Sequence, residues 1–375
     1  MTVTPRDAHS RFGRWDRYRA AAEGFREYWY PVLPSSGIGK KPIARRLCGI
    51  DLMFMRHAGK AWAVEDVCPH RRVPLSIGRC EFAGHITCVY HGWTFDMTDG
   101  RLVAALTDGP DSPVVGKTRV RTFPVEERCG LVWVWMGEGE PVAVEEDIPT
   151  ELLQPDARIY IRFSEVDGNW RNAVENGFDE SHGKMLHRTA LWALFRQVPG
   201  WTEPVIETSA DGKWLQRRLV GAHRTEQYPG LGRWPKYPFW KVFGRRPGGM
   251  SARVWVRLPC TLGVLQPTKV GWSNYDWYMP QDGKRYTYLQ LAVAWRKGLW
   301  PRFVWWLRFW AYIRYIHHVL FNGQDIGVIG LMPVNTDPAP LFRPDISIIE
   351  WRNFAENART PRPTTETAKP GRQAS

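Results

Sequence analysis

Between Pro42 and Gly137 the apolar residues come in short runs, Leu52–Arg56, Ala61–Val64, His85–Tyr90 and Leu131–Met136, separated by turn pairs such as Asp99-Gly100 and Cys129-Gly130. Runs of this length bounded by turn residues predict a small antiparallel β-module. A polar, Pro/Gly-rich stretch, Gly137-Glu-Gly-Glu-Pro141 followed by Asp147-Ile-Pro149, marks its end. Beyond it the pattern is mixed. Strand-like runs between Val205 and Ala294, among them Arg253–Leu258 and Tyr286–Ala294, predict one sheet that could floor a pocket. Tyr228 to Gly249 lacks periodicity and reads as a long loop, a candidate lid. The tail from Ala355 to Ser375 has almost no apolar residues and reads as disordered, and no internal repeat is visible.

The longest apolar run, Phe303 to Phe321, calls for a membrane test. Arg308, Arg314, His317 and His318 interrupt it, and two central arginines at about 3 kcal/mol each argue against a spanning helix. An interfacial helix, with Trp and Tyr beside Arg, is one reading. The favoured one is a buried amphipathic helix that lines an active site or an oligomer contact. Membrane association is therefore expected to be peripheral contact at most.

At 375 residues the chain has room for two domains. Its N-terminus is polar and charged, without the apolar core of a signal peptide. Cys48, Cys80, Cys129 and Cys260 are scattered without a repeating spacing, which argues against a disulfide framework and fits a cytoplasmic location. The net charge is +13, but the 51 basic residues are spread without a long run, so no nucleic-acid partner is expected.

The chemistry concentrates in two places. Cys68-Pro-His70 and Cys88-Val-Tyr-His91 put two thiols and two imidazoles within 24 residues. Two Cys and two His also make a zinc set, but zinc fingers pair like with like, whereas here each half-site holds one of each. That division suits a Rieske [2Fe–2S] cluster, in which Cys68 and Cys88 hold one iron and His70 and His91 the other. The flanks, Cys68-Pro-His70-Arg71 and Cys88-Val-Tyr-His91-Gly92-Trp93, resemble the Rieske domains of non-haem iron ring-hydroxylating oxygenases. Arg72 departs from that pattern, standing where a glycine commonly follows the His-Arg pair. The positive charge then has two readings, docking of an acidic electron-transfer partner or solubility alone.

The second place is Asn169 to His187, with two histidines and several carboxylates. Steps of four and three put Glu175, Asp179 and His182 on one helix face, and Gly183 offers a break that returns His187 to it. Two imidazoles need a carboxylate to complete a facial triad for Fe(II), with positions left open for O2. Asp325 is the best candidate, being embedded in apolar sequence where a free carboxylate is costly; Asp337 and Asp345 each lie beside a proline.

This segment is similar to the catalytic signature of Rieske oxygenase large subunits, and the resemblance runs over roughly residues 20 to 350. It implies that His182, His187 and Asp325 bind mononuclear iron. It also implies that Asp179 links His182 to His91 of a neighbouring subunit, with Glu175 and Asn176 in supporting roles. The opening Trp29-Tyr-Pro-Val-Leu33 looks most like the carbazole-dioxygenase type, a homotrimer of one subunit kind. The implied fold is α+β: a helical extension (1–27), an antiparallel β Rieske domain (28–140), a helix-grip catalytic domain with a central antiparallel sheet (141–355) and the tail (356–375).

The resemblance implies the terminal oxygenase of a multicomponent system, fed from NAD(P)H through a reductase, a ferredoxin or both. No Gly-rich nucleotide fingerprint is present, so that chemistry sits on partners. The 21 tryptophans favour an aromatic or polycyclic substrate, hydroxylated with O2. Trp192, Phe195, Trp240, Trp255, Trp277 and Trp295 are candidate pocket wall, though ordinary core is the favoured assignment for each. The alternatives are an oxidative N- or O-dealkylase, a sterol or lipid oxygenase at a membrane surface, and a plain Rieske electron carrier.

Overall fold

The computed structural model describes residues 15–179, 181–189, 201–223, 227–233, 253–265, 271–333 and 342–361. Trp192, Phe195, Trp240, Asp337, most of the expected lid and the end of the tail lie outside them. The chain divides into two compact units, one built on Phe25–Thr150 and one on Glu151–Ala358 with the residues before Phe25.

The strands of the first unit are β1 (Trp29–Pro34), β2 (Ile43–Leu47), β3 (Ile50–His57), β4 (Lys60–Glu65), β5 (His85–Thr87), β6 (Trp93–Asp96), β7 (Leu102–Ala105), β8 (Thr122–Phe123), β9 (Val125–Arg128) and β10 (Leu131–Trp135). They form antiparallel sheets ordered β1-β10-β9, β2-β3-β4-β8 and β5-β6-β7. The apolar runs of the sequence fall on β3, β4, β5 and β10. The third run ends at Thr87 rather than Tyr90, because Cys88 opens a loop. Met53, Met55, Val64, Leu75, Ile86, Phe95 and Met97 make a core that includes Cys68 and Cys88 themselves.

The second unit is organised by a seven-stranded antiparallel sheet. Its strands are β11 (Ala157–Asp167), β12 (Trp201–Thr208), β13 (Leu215–His223), β16 (Arg253–Arg257), β17 (Thr261–Leu265), β18 (Ser273–Pro280) and β19 (Arg285–Trp295), in the order β11-β19-β18-β17-β16-β13-β12. A small hairpin, β14 (Gln227–Tyr228) with β15 (Gly232–Arg233), stands apart from it. β18 is buried at every position, so the sheet is covered on both faces there.

Helices cover one face. The Trp170–Phe178 helix starts at Asn169, whose side chain accepts the Arg171 N–H at 2.9 Å, a local cap that releases the chain from β11. It reaches the sheet at Gly177, where an added Cβ would meet Leu262 at 2.8 Å and the Tyr278 hydroxyl at 2.9 Å. Only glycine permits that approach. A second helical run is α-helical over Leu299–Arg308, π-helical over Phe309–Phe321 and α-helical again over Asn322–Ile329. Trp305, Phe309 and Ile313 pack on Trp272, Ala292 and Ala294, and Phe309 stacks on Tyr160 with ring centroids 4.2 Å apart. The expectation of a buried helix is corrected here: its inner edge is buried, but Leu299, Trp300, Phe303, Trp306, Leu307 and Trp310 are exposed.

Candidate metal centres

The two half-site loops of the first unit are built alike. Cys68 N–H donates to the Val73 carbonyl at 2.8 Å and Arg72 N–H to the Cys68 carbonyl at 2.9 Å; Cys88 N–H donates to Trp93 at 2.8 Å and Gly92 N–H to Cys88 at 3.0 Å. Both loops therefore need a left-handed residue at the same step. The second uses Gly92 at φ 66°, the first Arg72 at φ 63°. The unusual arginine leaves the turn intact, at a backbone cost of about 1–2 kcal/mol.

This geometry puts the sulfurs inside and the imidazoles outside. Cys68 and Cys88 are each 2 % exposed, whereas His70 is exposed and His91 half-buried. The two imidazole rings lie side by side, centroids 4.6 Å apart, and Trp93 stacks on His70 at 4.8 Å. His91 Nδ1 is buried without a hydrogen-bond partner. Burial, with Cys88 beside it, pushes the Cys68 thiol up to about 11. A thiolate persists in such a place only when bound to a cation, so the donor set fits a cluster with one buried and one outward iron.

In the second unit His182, His187 and Asp325 bring one ligand atom each to within 4.8 Å of one another. Asp325 Oδ1 lies 3.4 Å from His182 Nε2 and 3.3 Å from His187 Nε2. Each histidine has an oxygen at its other nitrogen: Asp179 Oδ2 is 3.4 Å from His182 Nδ1, and Gln324 Oε1 is 3.0 Å from His187 Nδ1. The Gln324 oxygen favours the Nδ1–H tautomer of His187 and leaves its Nε2 lone pair for a metal, whereas the Asp179 carboxylate stands beside His182 Nδ1 without hydrogen-bond geometry. Phe321 stacks on His187 at 3.7 Å, and Asn176 donates to Asp325 Oδ1 at 3.1 Å.

Electrostatics follow the contacts. Burial alone would raise both carboxyl groups, but His182 and the Ser181 donors bring Asp179 down to about 2, and His182 with His187 hold Asp325 below the ordinary carboxylate range. Burial would lower His182, but Asp179 and Asp325 on its two sides raise it to about 9. A metal binding at Nε2 would displace that proton.

Several expectations need correction. The helix of Glu175 breaks at Asp179, not at Gly183: Phe178 is its last residue, and the Asp179 carboxylate accepts from the Ser181 and His182 N–H groups at 2.9 and 3.2 Å, opening the short Ser181–Met185 helix. An alanine Cβ at Gly183 would meet only His187, at an ordinary 3.7 Å. Glu175 does not reach this site; it pairs with Arg352 at 2.7 Å. Asp345 caps its own helix through the Phe342 N–H at 3.0 Å.

Strand parity takes the strand tryptophans to core, the favoured assignment, and not to pocket wall. Asn274, Asp276 and Tyr278 alternate on the face that meets the helices, as the Asn274–His317 contact at 3.2 Å and the Gly177–Tyr278 approach show. Trp277 therefore points to the other face. Trp255, paired in register with Gly263, and Trp295, which donates to the Glu151 carbonyl at 3.0 Å, lie on that far face too. Sequence reasoning missed Gln324, Phe321 and this tyrosine-rich layer; only Gln324 carried a signal, its place next to Asp325.

Comparison with known proteins gives the family. Residues 28–124 match the Rieske [2Fe-2S] domain family, and residues 135–220 a family described as homotrimeric ring hydroxylase. The terminal oxygenase component of carbazole 1,9a-dioxygenase from a Sphingomonas species is 32 % identical over 95 % of this chain and 97 % of its own. The solved terminal oxygenase of carbazole 1,9a-dioxygenase from Nocardioides aromaticivorans superposes with TM-score 0.78 at 28 % identity, covering 92 % of this chain and 98 % of that one. The reduced complex between oxygenase and ferredoxin in carbazole 1,9a-dioxygenase gives TM-score 0.79 at 27 % identity, with 95 % of each chain covered. With a cysteine-inside, histidine-outside loop pair in one unit and a two-histidine, one-carboxylate cluster in the other, the chain belongs to the Rieske non-haem iron ring-hydroxylating oxygenases, as a terminal oxygenase chain.

Proposed function

We propose that this chain hydroxylates an apolar, aromatic or polycyclic compound with O2, in a cytoplasmic system whose electrons come from NAD(P)H through a reductase and a ferredoxin. The observation that carries the reading is the convergence of His182 Nε2, His187 Nε2 and Asp325 Oδ1 within 4.8 Å in a chain that also holds a Rieske domain. Cys68, His70, Cys88 and His91 would hold the [2Fe–2S] cluster, and His182, His187 and Asp325 a mononuclear Fe(II). When bound, the cluster supplies one-electron transfer and the iron O2 activation. Asp179 would steady His182 and, in a ring of three copies, would accept a hydrogen bond from His91 of a neighbouring copy. Gln324 fixes His187, and Asn176 orients Asp325.

Iron analysis separates this reading from that of a plain electron carrier, with about three irons per chain expected against about two. His182→Ala should remove the third and keep the visible spectrum of the cluster. Turnover of an aromatic and polycyclic panel with a surrogate reductase and labelled O2, followed by product mass, tests the reaction. Iron-loaded protein that puts no label into any compound would overturn the substrate class.

A further inference from the structure

The outer side of the helical run from Leu299 to Phe321 is used by neither metal centre. Leu299, Phe303, Trp306 and Trp310 fall on one stripe at helical spacing, opposite the buried Trp305 and Phe309. Leu299 is 84 % exposed and Trp300 72 %. The aromatic rings touch one another, Trp300 to Phe303 at 5.7 Å and Phe303 to Trp306 at 5.8 Å. A contiguous apolar patch of this kind marks a surface that something covers.

The charges say what. Arg302 borders the stripe on one side, Lys297 precedes it, and Arg314 follows with its guanidinium over Trp310 at 4.7 Å. Between Trp295 and Asp325 there is no Asp or Glu. If two copies met stripe to stripe about a twofold axis, the same arginines would face each other across the seam. Trp and Tyr at the water boundary with flanking Arg are instead what a headgroup layer accommodates, the rings in the acyl boundary and the guanidinium groups on phosphates. No helix among the described residues is long and apolar enough to cross a membrane, so the contact is one of lying on the surface.

We propose that the Leu299–Tyr315 face is a docking surface for an anionic phospholipid bilayer, with the helix parallel to the membrane plane. This stands apart from the oxygenase assignment. Trp305, 2 % exposed, cannot reach lipid and takes no part in the docking surface.

The test is co-sedimentation of the full-length, iron-loaded protein with phosphatidylcholine vesicles containing phosphatidylglycerol, against phosphatidylcholine alone. Native mass, circular dichroism and cluster absorbance are recorded on the same samples. The wild type should sediment with the anionic vesicles and be released by high salt. Trp306→Ser with Trp310→Ser, and separately Arg302→Glu, should each weaken binding by about tenfold or more with native mass and cluster absorbance unchanged. A wild type that stays in the supernatant, or variants that bind like wild type, would overturn the proposal. So would a smaller native mass in the tryptophan variant, which would make the stripe a seam between copies.

Discussion

Glu175 ties together three helices that precede or follow the iron site in sequence. Its carboxylate accepts from Arg352 Nε at 2.7 Å, Arg352 Nη2 at 3.1 Å and the Tyr18 hydroxyl at 2.8 Å. The side chains of Arg352 and Glu175 are only 6 % and 11 % exposed, and the guanidinium also stands over Trp15 at 5.1 Å. Glu175→Gln keeps the shape and an acceptor for Tyr18, but leaves a buried cation without its counter-charge. Removing one partner of a buried pair costs about 3–5 kcal/mol, whereas removing both and refilling with apolar atoms is often nearly neutral. Urea unfolding of the iron-loaded protein should therefore show a loss of that size for Glu175→Gln and a clear recovery for Glu175→Gln with Arg352→Met. Asn176, the next residue, donates to Asp325, so the single variant should also release iron more readily. A loss below about 1 kcal/mol, or a double variant no better than the single, would refute the claim that charge pairing rather than shape holds this junction.

Gln324→Leu should lower iron affinity by about tenfold or more, read by chelator competition, while the cluster spectrum stays unchanged. Asp179→Asn still accepts the Ser181 and His182 N–H groups, so both metal contents should persist while turnover falls by at least about tenfold; unimpaired turnover would remove Asp179 from any relay. In the Rieske unit Arg56 donates to both oxygens of Glu127 at 2.8 and 2.9 Å and depresses its pKa. That pair should stabilise fully above the ordinary glutamate pKa and be lost as pH falls through the lower folded value. Glu127→Gln should flatten that acid-side slope, by about 1 kcal/mol or less for so exposed a pair. Asp276→Asn should change iron retention little, in contrast to Asp325→Asn, because Asp276 is not among the three clustered ligands.

What was legible in the sequence was what is local in it. Each Rieske half-site is one turn, so its ligands stand within four residues and their type alone identifies the chemistry. The neighbouring Arg72 looked like a defect only because spacing says nothing about φ. Asp325 could be found across a long gap because a carboxylate in apolar sequence needs a partner. The helix break was misplaced because periodicity counts side-chain directions, whereas an aspartate that bonds to following backbone N–H groups ends a helix by competition. Whether each tryptophan was pocket wall or core could not be decided for a related reason: a strand's two faces are distinguishable by parity, but which face meets the helices depends on register with strands far away in sequence. Composition also made the 303–321 run look buried, since apolar content alone does not say how much of a helix has a neighbour.

Parity and burial together explain the charge of the iron site. Asp179 and Asp325 stay ionised because imidazoles and N–H donors compensate them, and their two negative charges match a divalent cation between neutral histidines. The third carboxyl group of this region, Asp276, is raised well above its ordinary value, first by burial and then by the charge of Asp325. Bound iron would cancel the second cause and leave the first. Around it Tyr278 and Tyr288 are fully buried, and their hydroxyls are raised as well, again mainly by burial. The sheet thus turns toward the candidate metal site a layer rich in hydrogen-bonding atoms in which burial disfavours charge. Such a layer weighs against a cationic guest and for a flat apolar one.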